Sequence, residues 1–185
     1  MAPALRDRVA QHWTEIAQME HASIAAFARF VLQLLAFGAP QELVADAQRA
    51  MADETTHARL AYGLASAYAG RDIGPAPIAI GGCLDGAAEV RAFVATTFAE
   101  GCVGEVMAAL EAREALEYAQ EPAVRAALET IARDEARHAE LAWRTVAWAL
   151  AAEPPRLRRS ARSSTRNARA RADMWLGKGT TLGTH

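Results

Sequence analysis

One ten-residue stretch occurs twice in this chain, and it limits the fold more than any other feature. Asp53-Glu54-Thr55-Thr56-His57-Ala58-Arg59-Leu60-Ala61-Tyr62 returns as Asp134-Glu135-Ala136-Arg137-His138-Ala139-Glu140-Leu141-Ala142-Trp143. The shared pattern is D-E-x-x-H-A-x-L-A followed by an aromatic residue. On a helix of about 3.6 residues per turn, positions i and i+3 share a face. Glu54 therefore points with His57, and Glu135 with His138. A carboxylate and an imidazole on one face can grip a metal ion.

A single E-x-x-H is commonplace in a helix rich in alanine and glutamate. Two copies with matching flanks are hard to explain by chance. Each copy also has a glutamate upstream at a matched distance. Glu20 stands 34 residues before Glu54, and Glu100 stands 35 before Glu135. The series of ligand-type residues is thus E, E-x-x-H, E, E-x-x-H.

Along the chain, residues 5–36 read as a first helix. Val9, Trp13, Ile16, Ile24, Phe27, Val31 and Leu34 recur at helical steps, with Glu20 among them. An acid in an apolar stripe is expensive to bury unless it is paired or metal-bound. Gly38-Ala39-Pro40 ends this helix and starts the next, over about 40–69. Residues 70–84, GRDIGPAPIAIGGCL, hold too many glycines and prolines for a helix. Residues 86–119 and 121–152 read as helices three and four. Gly38 lies 18 residues after Glu20 and 16 before Glu54, so an antiparallel pair brings these glutamates to one height. Glu121 lies 21 after Glu100 and 14 before Glu135, a rougher match.

Over residues 5–152 this series resembles the ferritin-like di-iron carboxylate superfamily. The resemblance implies an all-α, ferritin-like antiparallel four-helix bundle with a long crossover between helices two and three. A plain up-down-up-down bundle is the alternative. Fifteen linker residues reach at most about 50 Å. The crossover span is roughly 45 Å at about 1.5 Å of helix rise per residue, so the linker is long enough but taut. The resemblance also implies two iron ions bridged by Glu54 and Glu135. Glu20 and Glu100 would be the terminal carboxylates, with His57 and His138 one per metal. Imidazole with carboxylate oxygen suits iron or manganese, and zinc less well. Asp53 and Asp134 read either as exposed helix acids or as supports that orient the histidines. In similar proteins such an aspartate serves the opposite helix, which pairs Asp53 with His138 and Asp134 with His57. The activity implied is that of an oxidoreductase acting with dioxygen or peroxide, in a homo-oligomer. Ferroxidase and iron storage, or a metal-stabilised binding module, are the alternatives.

Three further residues fall near this series. Glu105 lies five residues from Glu100, about 140° away on a regular helix. It reaches the site as an extra ligand or proton relay only if a π-bulge forms near Gly101 and Gly104; otherwise it is a surface acid. Tyr62 and Trp143 occupy equivalent positions in the two copies and read as core packing, with a redox role as the other option.

The net charge of −2 hides an asymmetry. Residues 154–185 carry seven arginines, Lys178 and Asp173, a net +7, which leaves −9 on residues 1–153. The chain therefore divides into a bundle over 1–153 and a basic tail, which has little to bury and reads as flexible. Its arginines suit nucleic acid or an acidic partner. No unbroken apolar run approaches the roughly 18–20 residues of a membrane span. The polar opening is unlike a secretory signal. Cys83 and Cys102 lack metal-type spacing and read as reduced thiols of a cytoplasmic protein.

Overall fold

A computed structural model describes residues 2–85 and 89–152; the basic tail lies outside them. All regular structure among the described residues is helical. The four helices are α1 (Pro3–Phe37), α2 (Gln41–Ala69), α3 (Val90–Tyr118) and α4 (Pro122–Ala151).

The turns follow from local chemistry. Gly38 takes a left-handed φ of 69°, which only glycine adopts without strain. The Gly38 N–H then bonds Leu35 O at 3.2 Å, and the Ala39 N–H bonds Leu34 O at 2.9 Å. These bonds satisfy two end carbonyls of α1, and Pro40 sends the chain into α2. Pro122 starts α4 at a position whose N–H a helix does not use.

Cross-helix pairs set the directions. From α2 to α4, Asp46 meets Arg144 at 2.8 Å, Asp53 meets Arg137 at 3.4 Å and His57 meets Asp134 at 3.3 Å. One numbering rises as the other falls, so α2 and α4 are antiparallel. Short turns make α1–α2 and α3–α4 antiparallel as well. Hence α2 and α3 are parallel, and the chain between them must travel the length of the bundle. Its start is fastened by Ile73, whose N–H donates to Ser66 Oγ at 3.0 Å.

Two large apolar clusters and a small third one, Cys102 with Ala142 and Val146, fill the interior. Trp13, Tyr62, Leu64, Leu128 and Ile131 belong to one large cluster, and Leu34, Phe37, Leu43, Phe93 and Leu141 to the other. Fully buried alanines such as Ala17, Ala47, Ala61 and Ala65 let the helices approach closely. Between the two large clusters each helix carries one inward acid: Glu20 on α1, Glu54 on α2, Glu105 on α3 and Glu135 on α4.

Helix α3 differs from the continuous α-helix expected over 86–119. Its α-helical ends, Val90–Thr96 and Glu105–Tyr118, flank a π-helical segment, Thr97–Gly104. By mean hydropathy rather than unbroken runs, α1 and α3 are each long and apolar enough to cross a membrane. In this fold they are bundle members, each with one acid facing the interior cluster: Glu20 and Glu105.

Candidate metal centre

The layer between the two large apolar clusters is polar and buried. Glu54 and His57 come from α2, and Glu135 and His138 from α4. Their side chains are between 0% and 4% exposed. Glu20 from α1 and Glu105 from α3 complete the layer at 12% and 17%.

These six residues form two overlapping groups. One is Glu20, Glu54, His57 and Glu135; the other is Glu54, Glu105, Glu135 and His138. Within each group, one ligand atom per residue lies within 4.8 Å of all the others. Glu54 and Glu135 belong to both groups.

Both histidines turn Nδ1 inward. His57 Nδ1 lies 3.1 Å from Glu135 and 3.4 Å from Glu20. His138 Nδ1 lies 3.0 Å from Glu54 and 3.3 Å from Glu135. Yet both Nδ1 atoms, with Glu54 Oε1 and Glu135 Oε2, are buried without an aligned hydrogen bond. Buried polar atoms are ordinarily satisfied. Atoms that converge in distance but not in hydrogen-bond direction fit a cation between them, and carboxylate with imidazole is the donor set of iron or manganese.

The outward nitrogens meet the aspartates across the bundle. His57 Nε2 is 3.3 Å from Asp134 Oδ2, and His138 Nε2 is 3.2 Å from Asp53 Oδ2. Arg137 links the two aspartates, donating to Asp134 at 2.5 Å and Asp53 at 3.4 Å. Sequence reasoning missed this arginine. Its signal was the break in the repeat, since Thr56 holds the same place in the first copy. Asp53→Ala is expected to weaken metal affinity about 10- to 100-fold while the thermal melt stays cooperative. A calorimetric titration showing unchanged affinity would remove the aspartate from this role.

Two expectations need correction. Glu100 is not in the cluster. Its side chain is 57% exposed and accepts from Arg29 Nη2 at 2.5 Å. Glu105, the first residue of the α-helical run that follows the π-helical segment, takes the inward place. Trp143 is not core either: it is 50% exposed and meets Phe98 edge-on at 5.7 Å. Tyr62 is buried, with His21 against its edge.

The electrostatics follow from crowding acids in a buried layer. Burial pushes the Glu54 carboxyl up to about 8, against the pull of His138 and with help from Glu135 and Glu20. Burial likewise lifts Glu105 to about 9, again opposed by His138. Burial disfavours charge on the histidines, but the carboxylates outweigh it. Glu135 and Glu20 take His57 up to about 10; Glu105, Glu135 and Glu54 take His138 up to about 12. Glu135 goes the other way, because both histidines outweigh its burial and hold it well below the carboxylate range. Asp134 overcomes its burial through Arg133, Arg137 and His57 and falls to about 2.

The pH dependence has a definite sign. Glu54, Glu105, His57 and His138 all bind protons more tightly folded than unfolded. Between about pH 5 and pH 8 the folded metal-free chain therefore carries more protons, and its stability falls as pH rises. Metal ligation needs those protons removed, so affinity rises with pH. After chelation the melting temperature is expected to drop from pH 6 to pH 8, while the gain on adding Mn(II) grows. Melts that move together at both pH values would contradict this.

A cavity of about 480 Å³ reaches the layer from outside. It lies between α1 and α3, and Glu20, Glu54, Glu105, Glu135 and His138 form its inner wall. The chain matches no family model, no curated protein and no solved structure at a significant level.

Proposed function

We propose that this chain is a ferritin-like di-iron carboxylate protein and that it acts as an oxidoreductase toward dioxygen or peroxide. The observation that carries the reading is the pair of overlapping buried ligand groups sharing Glu54 and Glu135. Glu20 and His57 would hold one ion and Glu105 and His138 the other, with Glu54 and Glu135 contributing to both. The residues of these two groups would hold a pair of ions whose chemistry would be electron supply for the reduction of dioxygen or peroxide.

The chain's own residues prepare that chemistry. Asp53 and Asp134 fix the ring orientation of His138 and His57, so Nδ1 faces inward. Phe27 packs edge-on against the His138 ring, 5.1 Å between centroids, and keeps that side dry. Glu54 and Glu105 release protons when cations bind, which keeps the buried layer near neutrality. The cavity gives a small molecule access to one side of the layer. That access favours turnover of a substrate over mineral storage, which depends on a closed shell of many subunits.

The test is anaerobic loading with Fe(II) followed by mixing with dioxygen. The expected result is iron oxidation faster than in protein-free buffer, saturating near the bound stoichiometry. Oxidation that continues to hundreds of ions per chain would favour storage. Bound iron that reacts no faster than free Fe(II) would overturn the reading.

A further inference from the structure

The outer face of α3, turned away from the metal layer, is apolar from Phe98 to Leu110. Phe98, Val103, Val106, Met107 and Leu110 are 38% to 51% exposed, while Ala109 and Ala112 on the opposite side of the helix are buried. On α4, Trp143, Ala147 and Leu150 lie within about 60° of one another on a regular helix, and all three are exposed. Trp143 meets Phe98 edge-on, so the two rows join into one face across the α3–α4 seam. None of these residues lines the cavity. Only 22% of the apolar 18-residue stretch of α3 is buried inside the fold. Single exposed apolar residues are ordinary, but a contiguous row marks a surface that something covers.

Charge and chain length name the occupant. Beyond Leu110 the row runs into acids: Glu111, Glu114 and Glu117 are exposed, against one cation, Arg113. On α4, Glu140 is exposed one turn before Trp143, while Arg144 turns away to Asp46 on α2. A second copy would set the same acids, and the same net −9 of residues 1–153, against themselves. An anionic lipid surface would be repelled likewise. The complementary partner lies in the chain itself. Residues 154–185 carry a net +7, with seven arginines between 156 and 171 followed by Met174-Trp175-Leu176. Helix α4 ends at Ala151, next to Leu150, so this segment departs from the edge of the face. Gly101 abuts Ala142; from that level Leu150 lies eight residues one way and Glu117 sixteen the other. The face is therefore about 36 Å long at about 1.5 Å per residue. The chain from Ala152 to Met174 reaches at most about 75 Å, enough to run out along the acids and return to the apolar row.

We infer that the α3–α4 face is the docking surface for the chain's own basic segment. Met174, Trp175 and Leu176 cover the apolar row, and the arginines lie along Glu111, Glu114 and Glu117. The acidic partner that these arginines suit is then the body of the same chain. The inference does not rest on the metal-centre reading.

Photo-cross-linking of the full chain carrying Leu110→p-benzoylphenylalanine tests this, with isotope-labelled and unlabelled chains mixed in equal amounts. Trypsin cuts after Arg171 and Lys178, so mass spectrometry reads the segment as the peptide 172–178. The expected product joins position 110 to that peptide within one chain. Trp175→Ser should lower its yield about tenfold, the loss of one aromatic anchor. Glu114→Lys should lower it about threefold, as for an exposed charge pair. Met107→p-benzoylphenylalanine repeats the test should the first variant fail to fold. Leu35→p-benzoylphenylalanine, equally exposed on α1, should give no such product. The inference is overturned by absence of the product at both α3 positions, by equal yield from position 35, or by no effect of either substitution. Products joining labelled to unlabelled chains would overturn it too, and would assign the face to self-association.

Discussion

Glu105→Ala is expected to remove one of the two metal positions, while Glu100→Ala leaves both. The reason is placement. Glu105 is 17% exposed and shares a ligand group with Glu54, Glu135 and His138. Glu100 is 57% exposed and occupied by Arg29. Losing Glu105 strips one group of its only carboxylate not shared with the other. The affinity of that position should fall on the order of 100-fold, at least as much as loss of a supporting residue costs. Glu100→Ala should change metal affinity little, because it removes a rim contact. Anaerobic calorimetric titration with Fe(II) separates the two variants. Two sites retained in Glu105→Ala, or a site lost in Glu100→Ala, would mean that the π-helical register of α3 is wrong.

Gly101→Ala should destabilise the protein where helix propensity alone predicts the reverse. Alanine in a helix interior is favoured over glycine by up to about 1 kcal/mol. A Cβ at Gly101, however, would lie 2.5 Å from the Ala142 Cβ, closer than real Cβ atoms come. Neither methyl can rotate away, so α3 must move off α4. Overpacking of this kind costs about 1–3 kcal/mol, a fall of several degrees in melting temperature for a chain of this size. The shift also moves Glu105, four residues on, so metal affinity should drop with stability. Gly104→Ala is the control. Its nearest neighbour would be Ala99 O at 3.6 Å, an ordinary contact. A Gly101→Ala variant as stable as Gly104→Ala would show that the close approach of α3 and α4 is not essential.

Much of this architecture was legible in the residues. The punctuation at Gly38-Ala39-Pro40 and Glu121-Pro122 places two turns, and helical steps around Glu20 and the repeated motif place the buried faces. Glu20, Glu54, His57, Glu135 and His138 are readable because the i, i+3 rule acts within an unbroken helix. Glu105 was obscured because its helix is not regular. Matching the 34-residue spacing of Glu20 and Glu54 pointed to Glu100, but that rule assumes α-helical rise and rotation throughout. A better signal was height above the turn. Glu105 lies 16 residues before Glu121 and Glu135 lies 14 after it; the first hairpin has 18 and 16 about Gly38. Both pairs are offset by two residues. Glycines at 101 and 104 mark where the helix loosens, but the tight fit against Ala142 is a tertiary fact. Trp143 misled for a related reason. The repeat gives it the place of Tyr62, yet α4 turns that position outward, beside Phe98 on α3.

Anomalous diffraction at the iron edge from crystals of the Fe(II)-loaded chain locates the ions themselves. Two peaks per chain are expected: one among Glu20, Glu54, His57 and Glu135, the other among Glu54, Glu105, Glu135 and His138. No peak in this layer after full loading, or an ion held by Glu100 in place of Glu105, would contradict this placement.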